Sequence, residues 1–419
     1  MKRQTLWTYD FTVITIGSFV SLVGNALSNF ALSLLVLDYT GSTFLYMLFQ
    51  VSFQLPIMIC PVLAGPWLDR VSRKKVIYAL DFLSAGIYFL LFLLLRGGWF
   101  SYPGLLAVSF LTGIIDGTYV VAFDSFYPNL ITEGNFQKGY SVYGLLVDLS
   151  ELASPLAAMI YYRVGGAASL FAINALSFLI AACFEVTIRF RETHMDEAPR
   201  ETARSAFGQF RQELREGVDY IRGEKGLLFI ALYFMVSNLA SSAEKLQLPY
   251  FLNNAARFAA WPVAAATLYS ILLNFTTAGR LLGGAVQYRL RIPRERKFAV
   301  AFFVYVAINV LSGTLLFLPV PLMAAWFFMD GALGVTSYTI RSAAMQSYVP
   351  DNRRARFNGI FQMICFVGSV TGSLLTGALA EVFPERAILL ASNALVLGAI
   401  YLFIWRGRED IKKIYNRDV

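Results

Sequence analysis

The chain has 419 residues, of which 57% are hydrophobic and only 15% are charged, and its mean hydropathy is +0.58. Soluble domains carry about 25% charged residues, so this composition excludes a soluble protein and predicts one that crosses a lipid bilayer many times. The net charge of +8 could indicate a nucleic-acid partner. The basic residues, however, stand in short segments between apolar runs, which is typical of membrane topology, and we expect no nucleic-acid partner.

Twelve apolar runs are each close to the ~20 residues that a helix needs to cross a hydrocarbon core. They cover residues 11–37, 43–67, 76–95, 103–126, 139–162, 167–188, 227–252, 261–288, 298–317, 322–348, 357–382 and 387–405. The first run is too long for the core of a signal peptide and has no small-residue cleavage site, so we expect it to stay in the protein. The sequence therefore predicts an all-α polytopic membrane protein with twelve transmembrane helices.

Lysine and arginine orient these helices. The turn after the second run carries four cations, at Arg70, Arg73, Lys74 and Lys75. Of the 35 Lys and Arg residues, those in the predicted outer loops are Arg96, Arg163, Arg257 and Arg386. Because cations beside a spanning helix resist translocation, this asymmetry predicts that both termini are cytoplasmic.

The two halves of the sequence repeat. Residues 170–176 and 389–395 both end in Asn-Ala-Leu, and Tyr127-Pro128-Asn129 corresponds to Val349-Pro350-Asp351. The repeat predicts two parallel halves of six helices each, at residues 1–189 and 227–405. Residues 190–226 would then form a cytoplasmic linker, and residues 406–419 a cytoplasmic tail.

The linker itself has helical periodicity. Its apolar residues recur three or four positions apart, with arginines on the other faces. The apolar set is Phe207, Phe210, Leu214, Val218 and Ile221, and the arginines are Arg204, Arg211, Arg215 and Arg222. This pattern predicts an amphipathic helix on the inner membrane surface, with a solvated linker helix as the alternative.

The turn after the second run also carries a family signature. The motif Gly-x-Leu-Ala-Asp-Arg-x-Gly-Arg-Lys/Arg, found between the second and third helices of the major facilitator superfamily, is matched by Gly65, Asp69, Arg70, Arg73 and Lys74. The chain resembles a major facilitator transporter over essentially its whole length, and within that superfamily the bacterial branch of macrolide-efflux-like proteins. The corresponding turn of the second half keeps Gly284 and Arg289, while Tyr288 replaces the aspartate.

The resemblance implies a secondary active transporter that works by alternating access in the cytoplasmic membrane. We expect it to export a bulky hydrophobic or amphipathic compound, such as a drug or antibiotic, in exchange for protons. An importer or lysolipid flippase of the same fold is the first alternative, and a non-transporting sensor or scaffold is the second. The partners expected are thus a small-molecule substrate, the proton and the lipid bilayer, and we expect a monomer.

Charged residues within the apolar runs are candidate functional residues, because a charge in hydrocarbon costs about 2.5–3.5 kcal/mol. Five of them lie near cytoplasmic ends and are interpreted as gate and orientation charges: Asp81, Asp124, Glu185, Arg280 and Arg341. The resemblance suggests that Asp124 pairs with Arg73. The predicted cytoplasmic gate therefore comprises Gly65, Asp69, Arg70, Arg73, Asp124 and Arg341.

Two carboxyl groups lie near the predicted membrane midplane, those of Asp116 and Glu151, about 18–20 Å from the surface. Glu151 shares a helix face with Asp148, so repulsion between the two would favour protonation of one of them. We therefore predict that Glu151 and Asp148 carry the coupling proton, and a buried acid retained for packing is the alternative.

A substrate cavity is predicted from polar residues in other runs. Glu244, Lys245 and Asp330 lie about 12 Å from the outer surface, and Lys245 could pair with Asp330. The first run carries a polar stripe that includes Asn25 and Asn29. The resemblance places helices one, four, seven and ten around the cavity, which favours Asp116, Glu244 and Asp330 as lining residues.

Other chemistry has little support. A Gly-x-x-x-x-Gly-Lys-Ser/Thr loop is absent from the sequence, and His194 is the single histidine. The three cysteines, Cys60, Cys183 and Cys365, are scattered through apolar runs and are interpreted as buried thiols. We therefore expect no enzyme activity, no cofactor and no metal site.

Overall fold

The structure is a computed structural model that describes residues 5–40, 43–99, 101–153, 157, 160–161, 166–192, 206–254, 265–289 and 292–417. The described residues are almost entirely helical and contain no strand. The helices are α1 (Tyr9–Thr40), α2 (Thr43–Leu68), α3 (Arg73–Arg96), α4 (Tyr102–Leu130), α5 (Phe136–Glu151), α6 (Gly166–Val186), α7 (Ala206–Gly223), α8 (Lys225–Asn254), α9 (Ala265–Arg289), α10 (Lys297–Thr314), α11 (Val320–Tyr348), α12 (Asp351–Leu379), α13 (Glu385–Ala399) and α14 (Arg408–Tyr415).

Ten helical segments in the described residues are long and apolar enough to cross a membrane. They correspond to ten of the twelve predicted spans, so the prediction of an all-α polytopic membrane protein is confirmed. The other two predicted spans contain α5 and α9. Helix α5 is described only to Glu151, and α9 contains Asn274, Thr276, Thr277 and Arg280, which lower its hydropathy.

Local sequence explains several helix ends. The hydroxyl of Ser72 accepts a hydrogen bond from Lys75 N at the start of α3, and Ser101 has the same role at the start of α4. After α3, Gly98 has φ +73°, a left-handed conformation that glycine adopts without a steric penalty. Short polar turns thus separate long apolar helices.

One compact unit, unit 1, contains residues 1–135, 146–217 and 349–360. Within it α3 packs on α6, α2 packs on α4, and α1 packs on α6. Glycine permits the closest of these approaches: a Cβ atom on Gly113 of α4 would collide with the carbonyl oxygen of Phe53 in α2, and one on Gly24 of α1 would collide with Ser177 of α6.

The second compact unit, unit 2, contains residues 136–145, 218–348 and 361–419. Within it α9 packs on α11, α10 packs on α13, and α8 packs on α13. In each half of the sequence, therefore, the second helix pairs with the fourth and the third pairs with the sixth, as expected for an internal repeat. The predicted domain boundaries at residues 189, 226 and 405 stay a prediction.

The predicted helix in the linker is present as α7. Ile221 is buried and Val218 is half-buried, whereas the side chains of Phe207, Phe210 and Leu214 and all of Arg204 lie outside the described residues. The tail contains a further helix, α14, whose Tyr415 is buried in unit 2, with its hydroxyl 2.8 Å from that of Tyr305. The position of α7 on a membrane surface stays a prediction.

Candidate functional site

The turn between α2 and α3 is fixed at its base by an acidic side chain from a distant segment. Glu192 accepts a hydrogen bond from the backbone N–H of Arg73 at 2.9 Å and another from that of Lys74 at 3.4 Å, and the Ser72 hydroxyl also donates to it. These N–H groups belong to the first turn of α3, where a negative charge is stabilised by the helix dipole. Glu192 thereby holds the start of α3 in place.

Asp69, in that turn, is buried and receives three hydrogen bonds. Its Oδ1 accepts from Arg73 Nη2 at 2.9 Å and from the backbone N–H of Ala355 at 3.3 Å, and its Oδ2 accepts from Arg356 Nε at 2.7 Å. Burial raises the pKa of the Asp69 carboxyl group, and the charges of Arg73 and Arg356 oppose that rise. The desolvation of Asp69 therefore outweighs the stabilisation that its two arginine partners supply.

Arg73 is completely buried and joins the turn to the start of α12. Its guanidinium donates to Asp351 Oδ1 and to the Asp351 carbonyl oxygen, both at 2.7 Å, and to the carbonyl oxygen of Ser125 at 3.1 Å. Arginine suits this position because its planar group can serve several acceptors at once. One side chain thus links α3, α4 and α12 within unit 1.

Arg354 completes the arrangement. Its Nη1 donates to Asp351 Oδ1 at 2.8 Å and to Asn129 Oδ1 at 2.6 Å, while Asn129 Nδ2 donates to Asp351 Oδ1 at 3.1 Å. Asn129 and Asp351 are the two residues that correspond in the internal repeat. We call the five charged residues of this arrangement the turn network: Asp69, Arg73, Asp351, Arg354 and Arg356.

Glycine brings the two backbones of the network close together. A Cβ atom on Gly65 of α2 would lie 3.0 Å from the carbonyl oxygen of Ala355, and one on Gly359 of α12 would collide with the carbonyl oxygen of Pro61. The glycine of the family signature therefore has a packing role: it lets α12 approach closely enough for Arg356 to reach Asp69.

The structure brings together three of the six predicted gate residues, Gly65, Asp69 and Arg73. Arg70 is exposed, and Asp124 is half-buried beside Ser125, whose carbonyl oxygen accepts from Arg73. The pairing of Asp124 with Arg73 stays a prediction. Arg341 lies in unit 2, where its guanidinium carbon is 4.5, 5.3 and 5.7 Å from three ring centroids, those of Phe234, Phe361 and Tyr338.

Asp351, Arg354 and Arg356 were not among the site residues predicted from the sequence. A signal was available, because Val349-Pro350-Asp351 repeats Tyr127-Pro128-Asn129 and is followed at once by arginines. Basic residues after a turn, however, are usually interpreted as a sign of membrane topology. Their sequence positions do not show which distant acid they contact.

Of the two predicted proton-coupling residues, the structure describes the side chain of Asp148. Asp148 is buried in unit 1, and the side chain of Glu151 lies outside the described residues. Their role in proton coupling stays a prediction.

The predicted cavity residues lie in both units. In unit 1, Asn25 accepts a 3.5 Å hydrogen bond from Asn174 Nδ2, Asn29 is exposed and Asp116 is half-buried. In unit 2, Glu244 and Asp330 are both half-buried and lie close enough to interact electrostatically.

Each of these two acids has a different cation nearby in unit 2. The charge of Arg280 interacts electrostatically with Asp330, whereas that of the exposed Lys245 interacts with Glu244. The pairing of Lys245 with Asp330 stays a prediction, as does the lining of a cavity by all of these residues.

Two solved structures have a fold similar to that of this chain. A bacterial homologue of the iron transporter ferroportin, in an outward-facing state, superposes with a TM-score of 0.71 at 15% identity, covering 95% of this chain and 99% of that one. FucP, a major facilitator superfamily transporter in the outward conformation, gives a TM-score of 0.66 at 16% identity, covering 94% and 98%. The fold is that of a major facilitator transporter.

Residues 5–412 match the major facilitator family described as "Transmembrane secretion effector", and the chain belongs to this family. Multidrug efflux pump Tap of Mycolicibacterium fortuitum is 23% identical over 420 residues, which cover 97% of each chain. Macrolide efflux protein A of Streptococcus pyogenes is 25% identical over 234 residues, 55% of this chain. The chain spans just over half the length of this second relative, 56%. The chain is thus a multi-pass membrane protein of a family that transports small molecules.

Proposed function

We propose that the chain exports a bulky hydrophobic or amphipathic compound, a drug or antibiotic, across the cell membrane in exchange for protons. Two similar proteins, named for macrolide efflux and multidrug efflux, support the substrate class. The turn network supports the mechanism, because it ties α3, α4 and the turn after α2 to the start of α12 through charged side chains. Water can solvate the same side chains when these contacts open. That network is the observation on which the proposal rests.

The turn network would act as a cytoplasmic gate. Its cations support a position on the cytoplasmic side, where we also propose that both termini lie. A buried ion pair gains little net free energy, since the cost of desolvating the charges offsets most of their attraction. Separating Asp69 and Arg73 from residues 351–356 would rehydrate all five charges, so the closed and open states can differ by only a few kcal/mol. A gate that opens in every transport cycle requires such a balance.

The substrate would bind among Asn25, Asn29, Asp116, Glu244, Lys245 and Asp330, and alternating access would expose this region to each side in turn. Proton coupling requires a carboxyl group whose proton occupancy changes with access to water, and Asp148 and Glu151 are the candidates that the sequence provides. We propose that a monomer carries out the whole cycle.

Transport in proteoliposomes tests the proposal. The purified full chain is reconstituted, the lumen is made acidic, and the entry of ethidium and of a radiolabelled macrolide is followed. Proton–drug exchange predicts accumulation above the external concentration, which an uncoupler abolishes and which protein-free liposomes do not show. Movement of neither probe under an imposed pH gradient would overturn the proposal of proton-coupled drug export.

The same assay separates the alternatives. An importer would accumulate its substrate together with protons, from an acidic exterior into a neutral lumen. A lysolipid flippase would move a fluorescent lysolipid between leaflets and would leave both drug probes outside. A sensor or scaffold would produce no gradient-driven movement of any of these probes.

A further inference from the structure

Two acidic side chains lie inside unit 1, away from the turn network. Asp81 of α3 and Glu185 of α6 are 1% and 0% exposed. Asp81 lies about 12 Å along α3 from Arg73, the first residue of that helix. Glu185 packs on Gly17 of α1, where a Cβ atom would lie 3.7 Å from its Oε1. Glu185 itself is the last residue but one of α6, so Asp81 lies about two turns inside α3, Glu185 lies close to the end of its helix, and both are buried.

The two carboxyl groups face each other. The side chains of Asp81 and Glu185 lie within hydrogen-bonding reach of each other. Asp116 of α4 is the other acid that interacts electrostatically with Asp81. Tyr119 of α4 is the neighbour whose hydroxyl can hydrogen-bond to Glu185. Among the described residues no lysine or arginine acts on either carboxyl group, and α1 contributes Gly17, which has no side chain to titrate.

The hydrogen bonding of the pair is incomplete as long as both acids are ionised. In the described part of the chain no donor of regular geometry reaches Asp81 Oδ2, Glu185 Oε1 or Glu185 Oε2. Two carboxylates can only accept hydrogen bonds, so neither can satisfy the other. Two unneutralised charges in this buried position would be very costly. A single proton removes one charge and supplies the missing donor, because one carboxyl group then donates to the other.

We propose that Asp81 and Glu185 form a proton-binding site in which the two carboxyl groups share one exchangeable proton. An acid pair retained only for packing would have a donor for each carboxylate oxygen, whereas among the described residues Tyr119 is the neighbour whose hydroxyl can donate to this pair. A metal ion is a poor occupant, since no group of three or more His, Cys, Asp or Glu side chains in the described residues is arranged to hold one. The proton is the cation that two facing carboxyl oxygens can accommodate.

The position of the pair suggests how it would take part in transport, and this step depends on the proposed function. Asp116 lies about 21 Å along α4 from the Leu130 end, deeper than Asp81. Glu185, Asp81 and Asp116 thus form a series that leads inward from the helix ends that carry the turn network. Opening that network would admit water towards the pair and allow its proton to exchange.

Infrared spectroscopy of the purified full chain tests the site without any substrate. A protonated carboxyl group gives a carbonyl stretching band distinct from that of a carboxylate. We expect such a band at neutral pH in the wild type, with a contribution from each protonated carboxyl group, and we expect Glu185→Gln and Asp81→Asn each to remove the same component of it. The control Glu381→Gln, at an exposed carboxyl group, should leave the band unchanged. A band left unchanged by both variants, or reduced only in Asp116→Asn or Glu151→Gln, would overturn the assignment.

A second measurement needs no variant. Dicyclohexylcarbodiimide adds to protonated carboxyl groups in apolar sites, and mass spectrometry of the labelled wild type locates the adduct. We expect labelling at Asp81 or Glu185 that declines as the pH is raised. Labelling confined to other acids would count against the proposal even if the variants fail to fold.

Transport separates this inference from the proposed function. If the wild type shows no gradient-driven movement of ethidium or the macrolide, the proposed function fails, while the band and the label still decide the proton site. If the wild type transports and the pair supplies the coupling proton in place of Asp148 and Glu151, Glu185→Gln should reduce gradient-driven accumulation to the level of protein-free liposomes and preserve exchange without a gradient. Undiminished accumulation in that variant would show that the pair does not carry the coupling proton.

Discussion

The turn between α2 and α3 and the end of α9 occupy corresponding places in the two halves of the sequence, but different chemistry holds them. In unit 1 the contacts are ionic: Asp69 is 2.7 Å from Arg356, and Arg73 is 2.7 Å from Asp351. In unit 2 no acid stands at the corresponding place, because Tyr288 replaces the aspartate.

The contacts at the end of α9 are neutral or use a ring. Gln137 Nε2 donates to Gln287 Oε1 at 2.7 Å, and Gln287 Nε2 donates to the Thr336 hydroxyl at 3.1 Å. Lys138 Nζ lies 5.4 Å from the centroid of the Tyr288 ring. Each unit therefore fixes the start of an adjoining helix, α12 in unit 1 and α5 in unit 2, and in the part of the chain that the structure describes unit 1 does so with buried charges.

This difference shows that the internal repeat preserves a packing arrangement and not a set of partners. Both places keep a glycine, but a Cβ on Gly65 would meet a backbone oxygen, whereas one on Gly284 would meet the side chain of Leu145 at 2.7 Å. Backbone contact and ionic pairing both demand exact placement, and a side-chain contact can adapt. We therefore expect substitutions in the ionic turn between α2 and α3 to lower stability more than substitutions at the neutral end of α9.

Arg73→Ala should have the largest effect. It leaves Asp69 and Asp351 without their shared partner, and breaking a buried ion pair costs about 3–5 kcal/mol of unfolding free energy. Unfolding of the purified protein in detergent micelles measures the loss. The control Lys75→Ala removes the same charge from an exposed position in the same turn and should change stability by less than about 0.5 kcal/mol. Equal effects of the two variants would mean that the turn contributes only through its net charge.

Three glycine variants rank the backbone contacts. Gly359→Ala should destabilise the protein most, by about 1–3 kcal/mol, because its Cβ would collide with the Pro61 carbonyl oxygen and neither backbone can move freely. Gly65→Ala should have a smaller effect and Gly284→Ala the smallest, since the Leu145 side chain can change rotamer. Thermal unfolding of the three variants side by side checks the order, and a reversal of Gly65 and Gly284 would contradict it.

Asp69→Asn should reveal the cost of the buried carboxylate. Loss of hydrogen bonds to a charged group costs about 1–3 kcal/mol, so we expect a smaller effect than that of Arg73→Ala. Burial raises the pKa of Asp69 above its ordinary value of 3.8, so above pH 3.8 the folded state binds more protons than the unfolded state. The contribution of Asp69 to stability is therefore complete below pH 3.8 and declines as the pH rises through its folded pKa.

The variant should lack this pH dependence. Its stability deficit relative to the wild type should thus be largest near pH 4 and should shrink towards neutral pH, as measured by unfolding at several pH values. A deficit that grows with pH would mean that the arginines outweigh desolvation at this site.

The sequence was sufficient to predict the helices, their repeat, and the residues that the α2–α3 turn contributes to the ionic contact. Apolar run length determines a span, and the signature around Asp69 and Arg73 marks the turn. The partners on α12 could not be predicted, because the pairing of Arg356 with Asp69 depends on how closely Gly65 and Gly359 let two helices approach. Spacing along a chain carries no such information when the residues are nearly 290 positions apart.

The acids Asp81 and Glu185 illustrate a second limit. Depth along each helix placed both near the cytoplasmic ends, and they were interpreted there as separate gate and orientation charges. Depth does not specify rotation about the helix axis, however, and it is the packing of α3 on α6 that turns the two carboxyl groups towards each other. Their chemistry as a pair therefore becomes visible only in the folded unit.

Gln287→Ala tests the neutral contacts at the end of α9. It removes the hydrogen bonds to Gln137 and Thr336, and a neutral hydrogen bond contributes about 1 kcal/mol to stability. We expect a loss of about that size, independent of pH between 4 and 8 because neither partner titrates. A pH-dependent loss would indicate that a charged group also holds the end of α9.

Lys138→Ala should have the smallest effect of the series. A cation above a tyrosine ring contributes about 0.5–1 kcal/mol at exposed sites, and Tyr288 stands where the first half of the repeat has its aspartate. Lys138→Arg is the matched control, because a guanidinium retains the interaction with the ring. If Lys138→Ala destabilises the protein no more than Lys138→Arg, the ring contact is dispensable, and Gln137, Gln287 and the packing of Leu145 on Gly284 hold α5 against α9. If it costs as much as Arg73→Ala, Lys138 has an ionic role, and the contrast between an ionic and a neutral turn is wrong.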